Sequence, residues 1–249
     1  MSDAIRILKR LKEGEELYVL MSACTRNPYV ECDPETFDDC VVILFDQETA
    51  QAELDRFTRA QVPVSMARMV QKQRLVFYTS LYTMGVNAIL VKEQEGNTRI
   101  QLADVVKRTD PSQKKDTIWI ENPQLHLTAL YFMQRIRSGT RMEMTPELAQ
   151  MQEEISVNFA RGSFLVPLQK EGKGVPLIRI GEEEKYQPVF TDILEFQKFN
   201  KGNILRPVVV PSGKLPQVLV SGACGVVLNP MGVNMPLKVE QGRQPQASV

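Results

Sequence analysis

The side chains with chemistry to offer are four cysteines, one histidine and a group of aspartates. Cys24, Cys32 and Cys40 stand at equal spacing. A structural zinc site needs close cysteine pairs and four ligands. The sole histidine, His126, lies far along the chain, so the spacing predicts reduced thiols buried on neighbouring strands and no metal. Cys224 lies between Ala223 and Gly225, ahead of an apolar run. A persulfide-forming cysteine needs backbone N–H groups and a nearby cation. No Arg or Lys stands between Cys224 and Pro230, so a small filler beside a turn is the expected role. Asp33, Asp38 and Asp39 cluster where aspartates serve a turn. Glu171-Gly172-Lys173-Gly174 has the look of a phosphate loop but lacks the strand–loop–helix context, and reads as a hairpin turn. His126, in Pro123-Gln124-Leu125-His126-Leu127, reads as a surface or hydrogen-bonded helical residue. These groups assign no catalytic residue, no metal ligand and no cofactor site.

The elements that would position them occur twice in one order. The first copy opens with a helix capped by Ser2, carrying Ile5, Leu8 and Leu11, and stopped by Gly14. The second has Thr145 as cap and Pro146 at the first helical position. Leu148, Met151, Ile155 and Phe159 follow, and Gly162 is the stop. Each helix leads into an apolar strand, Leu17-Tyr18-Val19-Leu20-Met21 or Phe164-Leu165-Val166-Pro167-Leu168. A run opening at Pro28 or Pro176 follows, then a strand ending in Phe45-Asp46 or Phe190-Thr191. Val41 to Phe45 is unbroken and apolar, as in a strand buried on both faces. Asp46 and Thr191 then cap helices. Further strands fall at 62–66 and 204–210.

The next helices are 73–84, packed through Val76, Phe77, Ser80, Leu81 and Met84, and 215–221, with Ser212 as its cap. Strands opening at Gly85 and Gly225 close the copies, with Asn87 set against Asn229. Between the copies the pattern predicts a strand and turn over 98–106, a loop over 110–116 and a short strand over 117–121. A helix over 123–137 follows, packed through Leu127, Leu130, Tyr131 and Ile136. Asn122-Pro123 and Asn229-Pro230 each end a strand, the asparagine bonding local backbone. The fold class is therefore α/β. Two related modules, 1–140 and 141–240, each hold a mixed sheet packed with helices, followed by a frayed tail over 241–249.

Composition removes several functions. The 249 residues carry 30 basic and 30 acidic side chains, leaving no basic stripe for nucleic acid or anionic membrane. No apolar run reaches the roughly 20 residues that cross a bilayer. The first residues contain no signal-peptide core, so a cytoplasmic setting is expected.

The phrases Phe164-Leu165-Val166-Pro167-Leu168, Tyr186-Gln187-Pro188-Val189-Phe190-Thr191-Asp192 and Gly225-Val226-Val227-Leu228-Asn229-Pro230 together resemble the SseB domain of bacterial enhanced-serine-sensitivity proteins. The first copy joins through the repeat, with Ile43-Leu44-Phe45-Asp46 in the equivalent place. The resemblance implies a bacterial, cytosolic α/β protein with no established catalytic residues. The absence of a catalytic set favours binding or regulating an unknown protein partner, without cofactor, with a homodimer among the arrangements considered. Phe190, Thr191, Asn229 and Pro230 are the expected interaction surface. The alternative is a small-molecule sensor or weak enzyme with a pocket between the modules. Thiol transfer through Cys224, a chemistry linked with the SseB name, ranks last. The 11 methionines suit an adaptable face or a core.

Overall fold

The computed structural model describes residues 3–14, 16–108, 119–138, 143–172 and 174–240. The first half begins with α1 (Asp3–Glu13), β1 (Glu16–Ser22), β2 (Val30–Cys32) and β3 (Asp39–Leu44). It continues through α2 (Gln47–Arg59), β4 (Val64–Val70), α3 (Gln71–Thr83), β5 (Ala88–Glu93), β6 (Gly96–Gln101) and α4 (Leu102–Val105). The sheet order is β4-β1-β3-β5-β6, with β2 on the outer part of β3. Only β3 and β5 run parallel.

A long helix, α5 (Pro123–Ser138), precedes the second half. There α6 (Pro146–Arg161), β7 (Ser163–Gln169), β8 (Ile178–Ile180), β9 (Glu184–Val189) and α7 (Ile193–Phe199) come first. β10 (Leu205–Pro211), a 3-10 turn (Ser212–Lys214), α8 (Leu215–Val218), β11 (Gly225–Leu228) and β12 (Met235–Lys238) complete it. β7 pairs with β10, and a second sheet runs β12-β11-β9-β8. Leu165 and Phe190 join the two sheets by a reciprocal pair of backbone hydrogen bonds, at 3.1 and 3.0 Å. The one parallel contact here is β9 with β11. The protein is thus a mixed α/β fold.

Local chemistry explains several element ends. The Asp46 side chain accepts from the Thr49 N–H at 2.7 Å at the start of α2. Thr145 accepts from the Leu148 N–H at 3.2 Å and Pro146 occupies the first turn of α6. The cap of α7 is Asp192 rather than Thr191: its carboxylate accepts from the N–H groups of Leu194 and Glu195. Ser212 makes no side-chain cap. Ser2 and the 241–249 tail lie outside the described residues.

Other expectations shift. Helix α3 buries Arg74, Tyr78 and Leu81, while Leu75 and Val76 face solvent. Its rotation is set by polar bonds to the open end of α1. Arg74 donates to the Arg10 and Leu11 carbonyls, and the Tyr78 hydroxyl to that of Leu11 at 2.9 Å. The 98–106 segment is a hairpin strand and a helical turn, and β12 was not anticipated at all. Residues 119–121 form no strand, and 109–118 lie outside the described residues. The segment after β7 is not a hairpin turn, because β7 pairs with β10 and β8 with β9. Asn87 does not stand where Asn229 does: Leu44 pairs with Lys92 and Val189 with Leu228, so the position just past the paired residue is Glu93 in β5 and Asn229 after β11.

Helix α5 is central. One continuous buried cluster holds Leu17, Val41 and Ile89 of the first half, Leu125, Ala129 and Leu130 of α5, and Phe164, Val189 and Leu228 of the second. The Gln134 side chain pairs with Val30 like a strand neighbour, accepting from its N–H at 3.1 Å and donating to its carbonyl at 2.9 Å.

Candidate functional site

The four residues expected to form a surface are all buried. Phe190 packs edge-on against Phe196, with ring centroids 5.6 Å apart, and beside Phe199 at 5.4 Å. Strands β9 and β11 are parallel neighbours, so the residues just past their ends meet. There the Thr191 N–H donates to Asn229 Oδ1 at 3.0 Å, and Asn229 Nδ2 donates to Thr191 Oγ1 at 2.8 Å. Asn229 has φ 45°, a left-handed conformation that asparagine tolerates better than most residues. Its side chain reaches 38 positions back in sequence rather than to local backbone. Asn122 behaves likewise, donating to the Ser163 and Thr191 carbonyls at 2.9 and 3.0 Å. Each Asn-Pro pair is a cross-brace.

Beneath this brace lies His126, fully buried. Its Nδ1 is 3.3 Å from Thr191 Oγ1 and 3.6 Å from Asp192 Oδ2. The Thr191 hydroxyl donates to Asp192 at 2.8 Å, so it can only accept from the imidazole. That fixes the proton on Nδ1 and leaves Nε2 facing no partner. Burial alone would raise the Asp192 carboxyl pKa. His126, Thr191 and the Glu195 N–H outweigh it and hold the group below the usual range. Hydroxyl, imidazole and carboxylate are present, but the hydroxyl proton points at the carboxylate. This set is a structural lock and not an activated nucleophile.

The start of α7 also forms one wall of a groove of about 330 Å³. Its apolar lining is Leu75 and Tyr82 of α3, Val106, Trp119, Ile120 and Ile193. Leu75 is 67% exposed and Trp119 45%. Arg108 and Glu121 pair at its rim, and the Arg108 guanidinium lies over the Tyr82 ring at 5.6 Å. The Tyr82 hydroxyl donates to the Val106 carbonyl at 2.9 Å, which holds this rim to α3. Neither Leu75 nor Trp119 was singled out in the sequence. For Leu75 the signal was the unbroken run Leu75-Val76-Phe77, which spreads around α3 further than one packed stripe can cover.

The cysteines part company. Cys40 is buried on β3, Cys32 and Cys224 are exposed, and Cys24 is half-buried in the turn after β1, so only Cys40 fits a buried strand thiol. Burial and the Asp38, Asp33 and Glu31 charges push the Cys40 thiol up to about 12. Cys224 donates its N–H to the Lys185 carbonyl at 2.7 Å. Asp33 and Asp38 both pair with Arg99, each at 3.0 Å. Asp33 and Arg99 border a polar trough of about 820 Å³ in which Lys92 also pairs with Glu53. Among the described residues no three His, Cys, Asp or Glu side chains gather as a metal site. Among them, too, no helix is long and apolar enough to cross a membrane.

No protein-family model matches the chain, and no curated protein does. Two solved structures show distant likeness. Anabaena Tic22, titled for protein transport, is 12% identical with a TM-score of 0.23, over 88% of this chain and 87% of that one. Tic22 from Plasmodium falciparum is 11% identical with a TM-score of 0.23, over 84% of each chain. At that TM-score neither likeness carries a conclusion about fold or function.

Proposed function

We propose that this is a non-enzymatic binding protein of the SseB kind, working in the bacterial cytoplasm, which takes an apolar segment of a protein partner into the Leu75–Trp119 groove. One observation carries this reading: an open apolar groove between α3 and the start of α7, flanked by exposed Leu75, Val76 and Trp119. Contiguous exposed apolar surface with a polar rim is the usual mark of a docking site. The Thr191–Asn229 brace and the His126–Asp192 pair act behind it, fixing the α7 wall in place.

Trp119 is the sole tryptophan, so its fluorescence reports the groove directly. Titration with amphipathic helical peptides carrying Leu and Phe should shift the Trp119 emission to the blue and saturate. Leu75→Asp should abolish the response at unchanged melting temperature. A Trp119 signal indifferent to every such peptide would sink the reading. A second reading rests on the volume, which lies at the small end of the roughly 300–1,000 Å³ range of small-molecule sites. Saturation by amino acids, nucleotides or sulfur metabolites, but not by peptides, would favour it.

A further inference from the structure

A second cavity, of about 360 Å³, lies away from the groove and is lined by Cys24, Arg26, Pro63, Arg137, Gly232 and Asn234, with Ala23 at its edge. It joins four parts of the chain: the turn after β1, Pro63 just ahead of β4, the last turn of α5 and the turn between β11 and β12. Arg137 is the pivot. One guanidinium nitrogen, Nη1, donates to the Cys24 carbonyl at 2.7 Å and the Val233 carbonyl at 3.0 Å. Nη2 donates to the Asn234 carbonyl at 2.8 Å. Carbonyls orient the group but bring no full negative charge. The neighbouring ionisable groups that act on Arg137 are the Cys24 thiol and a second cation, Arg26.

The two arginines therefore share one small cavity without a carboxylate. Burial raises the Cys24 pKa, so its thiol is neutral near pH 7 and does not cancel the charge. Glu195 lies buried behind the wall at Gly232 and is not part of the lining; its Oε1 pairs with Lys198 at 2.5 Å. Both arginines line the cavity and the Arg26 charge acts unfavourably on Arg137, a repulsion that an anion between them would relieve. Arg26 itself is held in a left-handed conformation, φ 55°, by the tight turn in which its N–H donates to the Ser22 carbonyl at 2.9 Å.

We propose that the Arg26–Arg137 cavity binds a small oxyanion, a carboxylate or a phosphate group, which joins the two halves of the chain through α5. Planar guanidinium forks match either group. The proposal is independent of the groove, because none of its residues lines that site.

The test uses the full chain and Arg26→Asn, since Arg26 is exposed and asparagine tolerates its backbone conformation. Melting is followed with inorganic phosphate, acetate or chloride at equal ionic strength. At about ten times Kd, an anion bound only by the folded state should raise the melting temperature by about 3–5 °C. A rise with phosphate alone assigns a phosphoryl ligand, and a rise with acetate assigns a carboxylate; either supports the proposal. Arg26→Asn should lose most of the rise. The same anion should slow alkylation of Cys24, in the cavity wall, several-fold without slowing Cys224. Three results would overturn the proposal: no rise at tens of millimolar with either anion, an equal rise in Arg26→Asn, or a Cys24 alkylation rate indifferent to the anion.

Discussion

Thr191 and Asn229 hold each other by two hydrogen bonds, main-chain N–H to side-chain oxygen at 3.0 Å and side-chain nitrogen to hydroxyl at 2.8 Å. They come from different strand ends, and both are wholly buried. In water these groups would be solvated. Here the Thr191 N–H and the Asn229 amide would be orphaned without each other, so the pair fixes the end of β9 against the end of β11.

Removing half of the pair should destabilise the chain by about 1–3 kcal/mol, the usual cost of an unsatisfied buried group. Asn229→Ala adds strain at φ 45°, about 1 kcal/mol more. Asn229→Gly should therefore be less damaging than Asn229→Ala. Urea midpoints for both, with Thr191→Val for the coupling, check this. Equal midpoints for glycine and alanine would remove the backbone part of the argument.

Asp192 makes stability depend on pH in a definite direction. Its folded pKa lies below the unfolded value, about 3.9 for a free aspartate. The associated stability is complete above that value and is lost as pH falls through the folded pKa. Asp192→Asn should cost most at neutral pH, and its stability should converge on that of the wild type in acid. His126→Phe withdraws the Nδ1–H partner, so acid unfolding should begin at higher pH. Denaturant titrations between about pH 2 and 7 follow both. A constant gap between wild type and Asp192→Asn across that range would contradict the mechanism.

The thiols should label in a fixed order. Iodoacetamide should reach Cys32 and Cys224 first, Cys24 more slowly, and Cys40 only on unfolding. Peptide mapping after a short pulse reads the order. Native labelling of Cys40 at the rate of Cys32 would place β3 differently from its position here.

Gly232 should tolerate no side chain. A Cβ there would lie 2.9 Å from both Asn27 Nδ2 and Glu195 Oε2. Asn27 and Glu195 are buried, so they have little room to give. Gly232→Ala should lower stability by about 1–3 kcal/mol, as overpacking does. Thermal melting settles this, and a neutral effect would mean that the β11–β12 turn yields.

Local signals were legible in the sequence and remote ones were not. Thr145-Pro146 and Asp46 announce helix starts through bonds spanning three residues, and both stand. The cap of α7 was displaced by one residue because Thr191 and Asp192 are both competent caps. Only the distant Asn229 decides between them, by occupying Thr191. Phe77 and Leu81 of α3 and Met84 at its C-cap pack inward as expected, while Val76 is exposed because Arg74 and Tyr78 turn inward to the α1 carbonyls, and neither of those two advertises a buried position. The strand expected from residue 98 stands as β6 but starts two residues earlier, because pairing with Ala88–Glu93 draws the polar Gly96 and Asn97 into the ladder. His126 and Asp192, 66 positions apart, share no sequence signal at all.

Helix α5 has a further consequence for anyone who would divide this molecule. Its side chains reach Val30 through Gln134, Asp39 through Tyr131, Asp192 through His126, and the β11–β12 turn through Arg137. A cut near residue 140 would leave the latter fragment with Asp192 deprived of His126 and Asn234 of Arg137, and the former with an uncovered apolar rod. Neither half owns the helix, so the whole chain should melt in one transition, and its halves should regain structure only when mixed.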